Sequence, residues 1–197
     1  NSTSVLPLLS QNISIIEVGA YSQIFEKFIS FLGIKALIIT DIDSIKIKTE
    51  ESDNKKEKCK VDEGIDTSNT AIKHFLPNID WKNLKILPEK DRKKSIGNST
   101  LLICYQQEEE NYHARSFEDA FIHINKDFIN SNIGNFRGLK NKKSFEDNSK
   151  DAYDLAQECI DKKTHFALDI LYHSDENFSN WEIPVYIKNG LLWLKRD

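Results

Sequence analysis

The stretch Ala36-Leu-Ile-Ile-Thr-Asp-Ile-Asp-Ser-Ile45 decides the fold. An apolar run closes on two aspartates separated by one residue, the pattern of a buried strand that ends abruptly. Upstream, Ile13-Ser-Ile-Ile-Glu-Val18 is a second apolar run ending at Gly19 and also predicts a strand. Between the two, Ile24, Phe25, Phe28, Ile29 and Leu32 recur at helical spacing, with Gly33 placed to stop the helix. Strand, helix and strand in close succession make a βαβ unit, which builds parallel sheets with helices on their faces. Phe25, Phe28, Phe31 and Trp193 sit at core-like spacing and are expected to pack inward.

Residues 46–66 are almost entirely polar and predict a solvated, mobile loop. Thr67-Ser-Asn-Thr70 offers N-caps for a helix to about Leu76, which Pro77 stops. Trp81–Leu87 suits a short helix or a strand, 88–99 is a basic loop, and Leu101–Gln106 is a third strand. Ser116 caps a helix to about Ile129, with Glu118 and Asp119 in its first turn, where the helix dipole favours acids. Further helices cover about 151–160, 163–172 and the segment opened by Pro184. The class is α/β, a mostly parallel sheet flanked by helices. The polar tract 138–150 divides a catalytic core, 1–137, from a helical C-terminal part, 138–197, that carries Lys163.

The chain has 197 residues, 39% of them hydrophobic and 29% charged, an ordinary globular balance. Its net charge of −4 excludes a global basic field for nucleic acid. DNA contacts would need local patches, for which Arg137–Lys143 and Arg92–Lys94 are the candidates; both also read as solvated loops. No apolar run is long enough to span a membrane, and residues 1–10 do not form a signal peptide. Cys59, Cys104 and Cys159 are odd in number and far apart, which points to a reduced, cytoplasmic protein without a zinc site. No histidine has the partner spacing of a metalloprotease helix, so all five read as structural or surface residues, His113 being the one nearest the acidic segment. The absence of any methionine makes the chain read as a fragment.

In parallel α/β sheets, ligands bind beyond the carboxyl ends of the strands, where Asp41 and Asp43 stand. On an extended backbone, residues i and i+2 point the same way, so both carboxylates can face one ion. Oxygen-only ligands suit Mg²⁺ or Mn²⁺. The plainer alternative is an aspartate that caps a turn beside an exposed one. Three chemistries place such a pair after an apolar strand: a haloacid-dehalogenase-like phosphatase with Asp41 as nucleophile, a nucleotide-sugar glycosyltransferase, and a Toprim nuclease. The first usually has Thr or Val where Ile45 stands, and the second lacks a recognisable uridine-binding region here.

Ile16-Glu-Val-Gly-Ala-Tyr21, Leu32-Gly-Ile34 and Ile39-Thr-Asp-Ile-Asp43 together resemble the Toprim region of the overcoming-lysogenization-defect (OLD) family of ATP-dependent endonucleases. Arg115-Ser-Phe-Glu-Asp-Ala-Phe121, Lys163-Thr-His-Phe-Ala167, and Ile183-Pro-Val-Tyr-Ile187 with Gly190-Leu-Leu-Trp193 follow in that family's order. The resemblance covers roughly 13–195 and implies a Toprim, Rossmann-like fold and a two-metal DNA endonuclease, in some members an anti-phage defence protein. It implies Asp41, Asp43 and Glu118 as metal ligands, Asp119 as the rival of Glu118, and Lys163 as the group that stabilises phosphoryl charge. Read from the residues alone, Glu118 suits a dipole-favouring helix start and Lys163 an exposed lysine. The resemblance also places the family's first glutamates before Asn1 and leaves Glu17 a structural role. It implies an N-terminal ABC-type ATPase domain in the parent protein, through which a homo-oligomer forms. A non-catalytic nucleic-acid-binding module is the reading if the missing glutamates have been lost.

Overall fold

A computed structural model describes residues 8–50 and 53–195. Its strands are β1 (Lys35–Ile39), β2 (Ser44–Glu50), β3 (Asp53–Lys58), β4 (Asp66–Thr67), β5 (Lys93–Ile96), β6 (Ser99–Cys104), β7 (Glu108–Glu109) and β8 (Tyr112–His113). Its α-helices are α1 (Glu26–Leu32), α2 (Thr70–Phe75), α3 (Trp81–Lys85), α4 (Phe117–Ile124), α5 (Lys126–Asn132), α6 (Ala152–Cys159), α7 (Lys163–Tyr172) and α8 (Val185–Leu194). The architecture is α/β: a mixed sheet flanked by helices, with a helical C-terminal part.

The central sheet has the order β1-β6-β5. β1 and β6 are parallel, Ala36 opposite Leu101 and Ile38 opposite Ile103, while β5 returns antiparallel to β6. The two-residue alternation of a strand sorts side chains into two layers. Ile38, Leu101 and Ile103 enter a core with Ile72 and Phe75 of α2 and Trp81 and Leu84 of α3. Leu102 and Cys104, with Leu37, pack on the opposite face against Ala120 of α4 and Tyr186 of α8. A third core gathers Phe121, Phe128, Phe136, Leu155 and Phe166 from α4 through α7, drawing on residues from both sides of position 137.

Several expectations need correcting. Ile13–Val18 is not a strand: Ile15 is 93% and Ile16 58% exposed, and the segment has no ladder partner among the described residues. A strand exists only where a neighbour takes its backbone groups. The helix expected to carry Ile24 through Leu32 is a 3-10 turn, Gly19–Phe25, followed by the short α1, which ends where expected, at Gly33 in the left-handed conformation. Its stripe is largely outward, with Phe28 51% and Phe31 85% exposed, whereas Trp193 does pack against the core. The polar tract 46–66 is not a loop throughout, because β2 and β3 pair as an antiparallel ladder. The alternation Ile45-Lys-Ile-Lys48 carries a strand's period, and Ile45 is buried. The basic tract 88–99 holds β5, and the single helix expected from Ser116 to Ile129 breaks at Asn125 into α4 and α5. Asn125 instead clasps Glu182, donating to its carbonyl and accepting from its N–H. Pro184 caps α8 from outside rather than opening it.

Candidate functional site

Past β1, Thr40 extends the parallel ladder by donating its N–H to the Cys104 carbonyl at 2.9 Å. The chain then curls. Ile42 is fully buried and its N–H donates to Gln106 Oε1 at 2.7 Å. Asp43 adopts φ +51°, a left-handed conformation that aspartate tolerates better than most residues. Asp41 and Asp43 are therefore not an extended i, i+2 pair, as the strand pattern suggested; a turn brings both to one cleft. Asn69 holds the turn from below, donating to the Asp41 carbonyl at 2.8 Å and to Thr40 Oγ1 at 2.7 Å. Thr67 Oγ1 donates to the Ile42 carbonyl at 2.6 Å.

Each acidic side chain has a defined partner. Asp41 Oδ1 accepts from Gln106 Nε2 at 2.7 Å and from the Phe117 N–H, at the start of α4, at 2.9 Å. Burial pushes its carboxyl up to about 6, the nearby charges of Glu118 and Asp43 adding to the effect and the Gln106 hydrogen bond opposing it. Asp43 Oδ1 pairs with Arg115 Nη2 at 2.8 Å, and the Arg115 guanidinium, itself buried, also donates to the Ser44 carbonyl. Glu118, buried in the first turn of α4, accepts from Lys163 Nζ at 2.9 Å. Burial works against the Lys163 ammonium, but the Glu118 hydrogen bond and charge, with Asp41 and Asp43 behind them, outweigh it and raise its pKa.

Asp119 does not join this group. Its Oδ2 accepts from the Arg115 N–H and the Tyr112 hydroxyl, and its Oδ1 from the Ser116 N–H and hydroxyl. It closes a capping box that shapes the turn carrying Arg115 into α4. Both of its oxygens are spent inside the fold.

The cleft, about 480 Å³, is lined by Ile39, Thr40, Asp41, Asp43, Phe117 and Tyr186 together with Ile16–Gly19, including Glu17. His113 lies apart, its ring hydrogen-bonded to the Gln106 carbonyl and its pKa lowered by burial. Among the described residues no three His, Cys, Asp or Glu side chains converge closely enough to form a ready-made metal cage. The donor chemistry nonetheless fits a hard divalent cation. Asp41, Asp43 and Glu118 offer only carboxylate oxygens, and in each the second oxygen has no hydrogen-bond partner among the described residues. Burial, with the charges of Glu118 and Asp43 adding to it, makes an ionised Asp41 costly, and a bound cation would offset that cost.

Gln106, Arg115, Asn69 and Tyr186 lie in segments the sequence picks out, but none was expected as a site residue. Gln106 had a signal: it lies just past β6, the parallel neighbour of β1, so it emerges at the same sheet end as Asp41. Tyr186, whose hydroxyl accepts from Gln106 Nε2 at 3.1 Å, had no signal linking it to Asp41 beyond its place in a family-like segment, because only packing brings α8 onto the sheet.

Fold and site together define an α/β protein with an acidic, lysine-flanked cleft at the carboxyl end of a parallel strand. Compared with curated proteins, the chain is 31% identical over 188 residues to a protein named Endonuclease GajA from Bacillus cereus (strain HuB5-5). That alignment takes in 90% of this chain but 26% of the relative, so the chain spans about a quarter of that protein's length. No protein-family model matches the chain. No solved structure matches it either.

Proposed function

We propose that the chain is the catalytic part of a metal-dependent DNA endonuclease of Toprim, OLD-family type. The observation that carries this reading is the meeting of Asp41 and Asp43 from the end of β1, Glu118 from the start of α4 and Lys163 from the start of α7. Three distant segments supply the residue types that phosphodiester hydrolysis needs, in a chain that aligns along most of its length with a protein named an endonuclease. The quarter-length match supports a larger parent, and we place the ABC-type ATPase domain, assembly into a homo-oligomer and a role in anti-phage defence with that parent. The three cysteines are free and buried, in keeping with a reducing, cytoplasmic setting. No helix among the described residues is long and apolar enough to cross a membrane.

Asp41, Asp43 and Glu118 would hold Mg²⁺ or Mn²⁺ through the oxygens their protein partners leave unclaimed. Bound there, a pair of such ions would activate the attacking water and stabilise the leaving oxygen. Gln106 and the Phe117 N–H orient Asp41, while Arg115 orients Asp43. Lys163 is kept charged by Glu118, yet its side chain is 70% exposed, so its ammonium can turn to a phosphoryl oxygen as charge builds there.

The test is cleavage of supercoiled plasmid with Mg²⁺ or Mn²⁺ by the larger parent, which would carry the family's first glutamates, beside Asp43→Ala and Lys163→Ala; the 197-residue chain alone should bind metal weakly. Metal-dependent nicking or linearisation that both substitutions abolish is the expected result. Cutting that survives Asp43→Ala would overturn the mechanism. A covalent phosphoaspartate on Asp41, without DNA cleavage, would put the phosphatase in its place.

A further inference from the structure

Two basic stretches that are separate in sequence meet in the fold. Arg137-Gly-Leu-Lys-Asn-Lys-Lys143 runs alongside the approach to α7. Leu139 bridges Ile160, the Lys140 N–H donates to the Cys159 carbonyl at 2.8 Å, and the Asp161 N–H donates to the Gly138 carbonyl at 2.9 Å. Gly138 is the tight point. A Cβ there would lie 2.3 Å from the Phe166 nitrogen, so only glycine lets this backbone press against α7. The Gly138 N–H is tied in turn to the buried Asp169 carboxylate at 2.7 Å. The backbone is thus fixed from several sides, while Arg137, Lys140, Lys143 and Lys162 stay exposed.

The result is a basic ridge that ends at the site. Lys162 caps α7 and Lys163, the next residue, touches Glu118. Arg137, Lys143 and Lys162 have no ion-pair partner among the described residues, and Lys140 reaches Asp161 only at 3.7 Å, with both groups about half exposed. Such a pair contributes little. Two lysines at the start of α7, with no acid in its first turn, also oppose the helix dipole. Cations concentrated against their own helix's field, on a chain whose net charge is −4, call for an external polyanion.

We propose that this ridge binds the sugar–phosphate backbone of the DNA on one side of the bond to be cut. It thereby steers the strand toward Lys163 and the acidic cleft. The inference rests on the nuclease reading but concerns binding, so the two can fail separately. Each phosphate that a basic side chain neutralises releases counterions and steepens the fall of log K with log salt by about 0.9.

The experiment is fluorescence anisotropy of a labelled 20-base-pair duplex titrated with the intact chain in EDTA, over a salt series. Wild type is compared with a triple variant, Arg137→Gln, Lys140→Gln and Lys143→Gln, whose fold is checked by circular dichroism. The expected result is a salt slope shallower by about 2–3 and an affinity at least tenfold weaker at low salt. An unchanged slope in the triple variant, or no duplex binding by wild type, overturns the proposal. Competition by a poly-glutamate peptide as strong as that by unlabelled duplex also overturns it, and gives the ridge to an acidic protein. A shallower slope without metal-dependent cutting would keep the DNA surface and sink the nuclease; cutting with an unchanged slope would do the reverse.

Discussion

Replacing Asp41 with asparagine removes a charge that the fold itself resists while keeping the carbonyl oxygen that Gln106 and the Phe117 N–H use. The folded carboxyl sits at about 6 against an ordinary value of 3.8, chiefly through burial. A carboxyl raised in this way favours folding only while protonated. Its ionisation starts to cost stability above the unfolded value and costs the full amount above the folded one. The full cost is about 3 kcal/mol, from roughly 1.4 kcal/mol per tenfold change in the equilibrium. In EDTA, Asp41→Asn should therefore exceed wild type by about 1 kcal/mol at pH 4.5 and by about 3 kcal/mol at pH 8. Urea denaturation at the two pH values, with equal m-values for the two proteins, measures the difference. Saturating Mn²⁺ should raise wild type at pH 8 by more than it raises the variant, which keeps Asp43 and Glu118 but has lost one of three carboxylates. A variant no more stable than wild type at pH 8, or a gain that does not shrink toward acid, would refute the claim that Asp41 is held in a costly charged state.

Gln106→Leu should cost about 1–3 kcal/mol, since it orphans the buried Ile42 N–H, and it should weaken Mn²⁺ binding seen by calorimetry because Asp41 loses its orienting donor. Gly138→Ala should lower the melting midpoint by several degrees, because the added Cβ meets the Phe166 backbone and not a side chain that can swing away. Phe31→Ser should change stability by less than about 0.5 kcal/mol, as fits a side chain 85% exposed; a loss of several kcal/mol would restore the inward-facing stripe that the helical spacing suggested.

Local signals in the chain were sufficient for β1, β6, α2, α6, α7 and the stop at Gly33, because each depends on a short apolar run, a cap or a left-handed glycine. The acid pair at the end of an apolar strand, the acidic start of α4 and the lysine opening α7 could likewise be picked out one by one. The sequence by itself determined the residue types and the α/β class.

Only the tertiary structure decided how these residues meet. The turn at Asp43 and not an extended strand aims the two aspartates, and Gln106, Arg115 and Tyr186 arrive from segments that no local pattern connects to Asp41. Glu118 and Asp119 are neighbours of like charge, and the sequence could not separate them. The fold does, because consecutive helical residues point about 100° apart: Asp119 turns back into its capping box, and Glu118 turns toward Lys163. The same limit explains Ile13–Val18 and the stripe on α1. Hydrophobic spacing records which residues would gain from burial, and whether they are buried depends on a neighbour that the spacing does not specify.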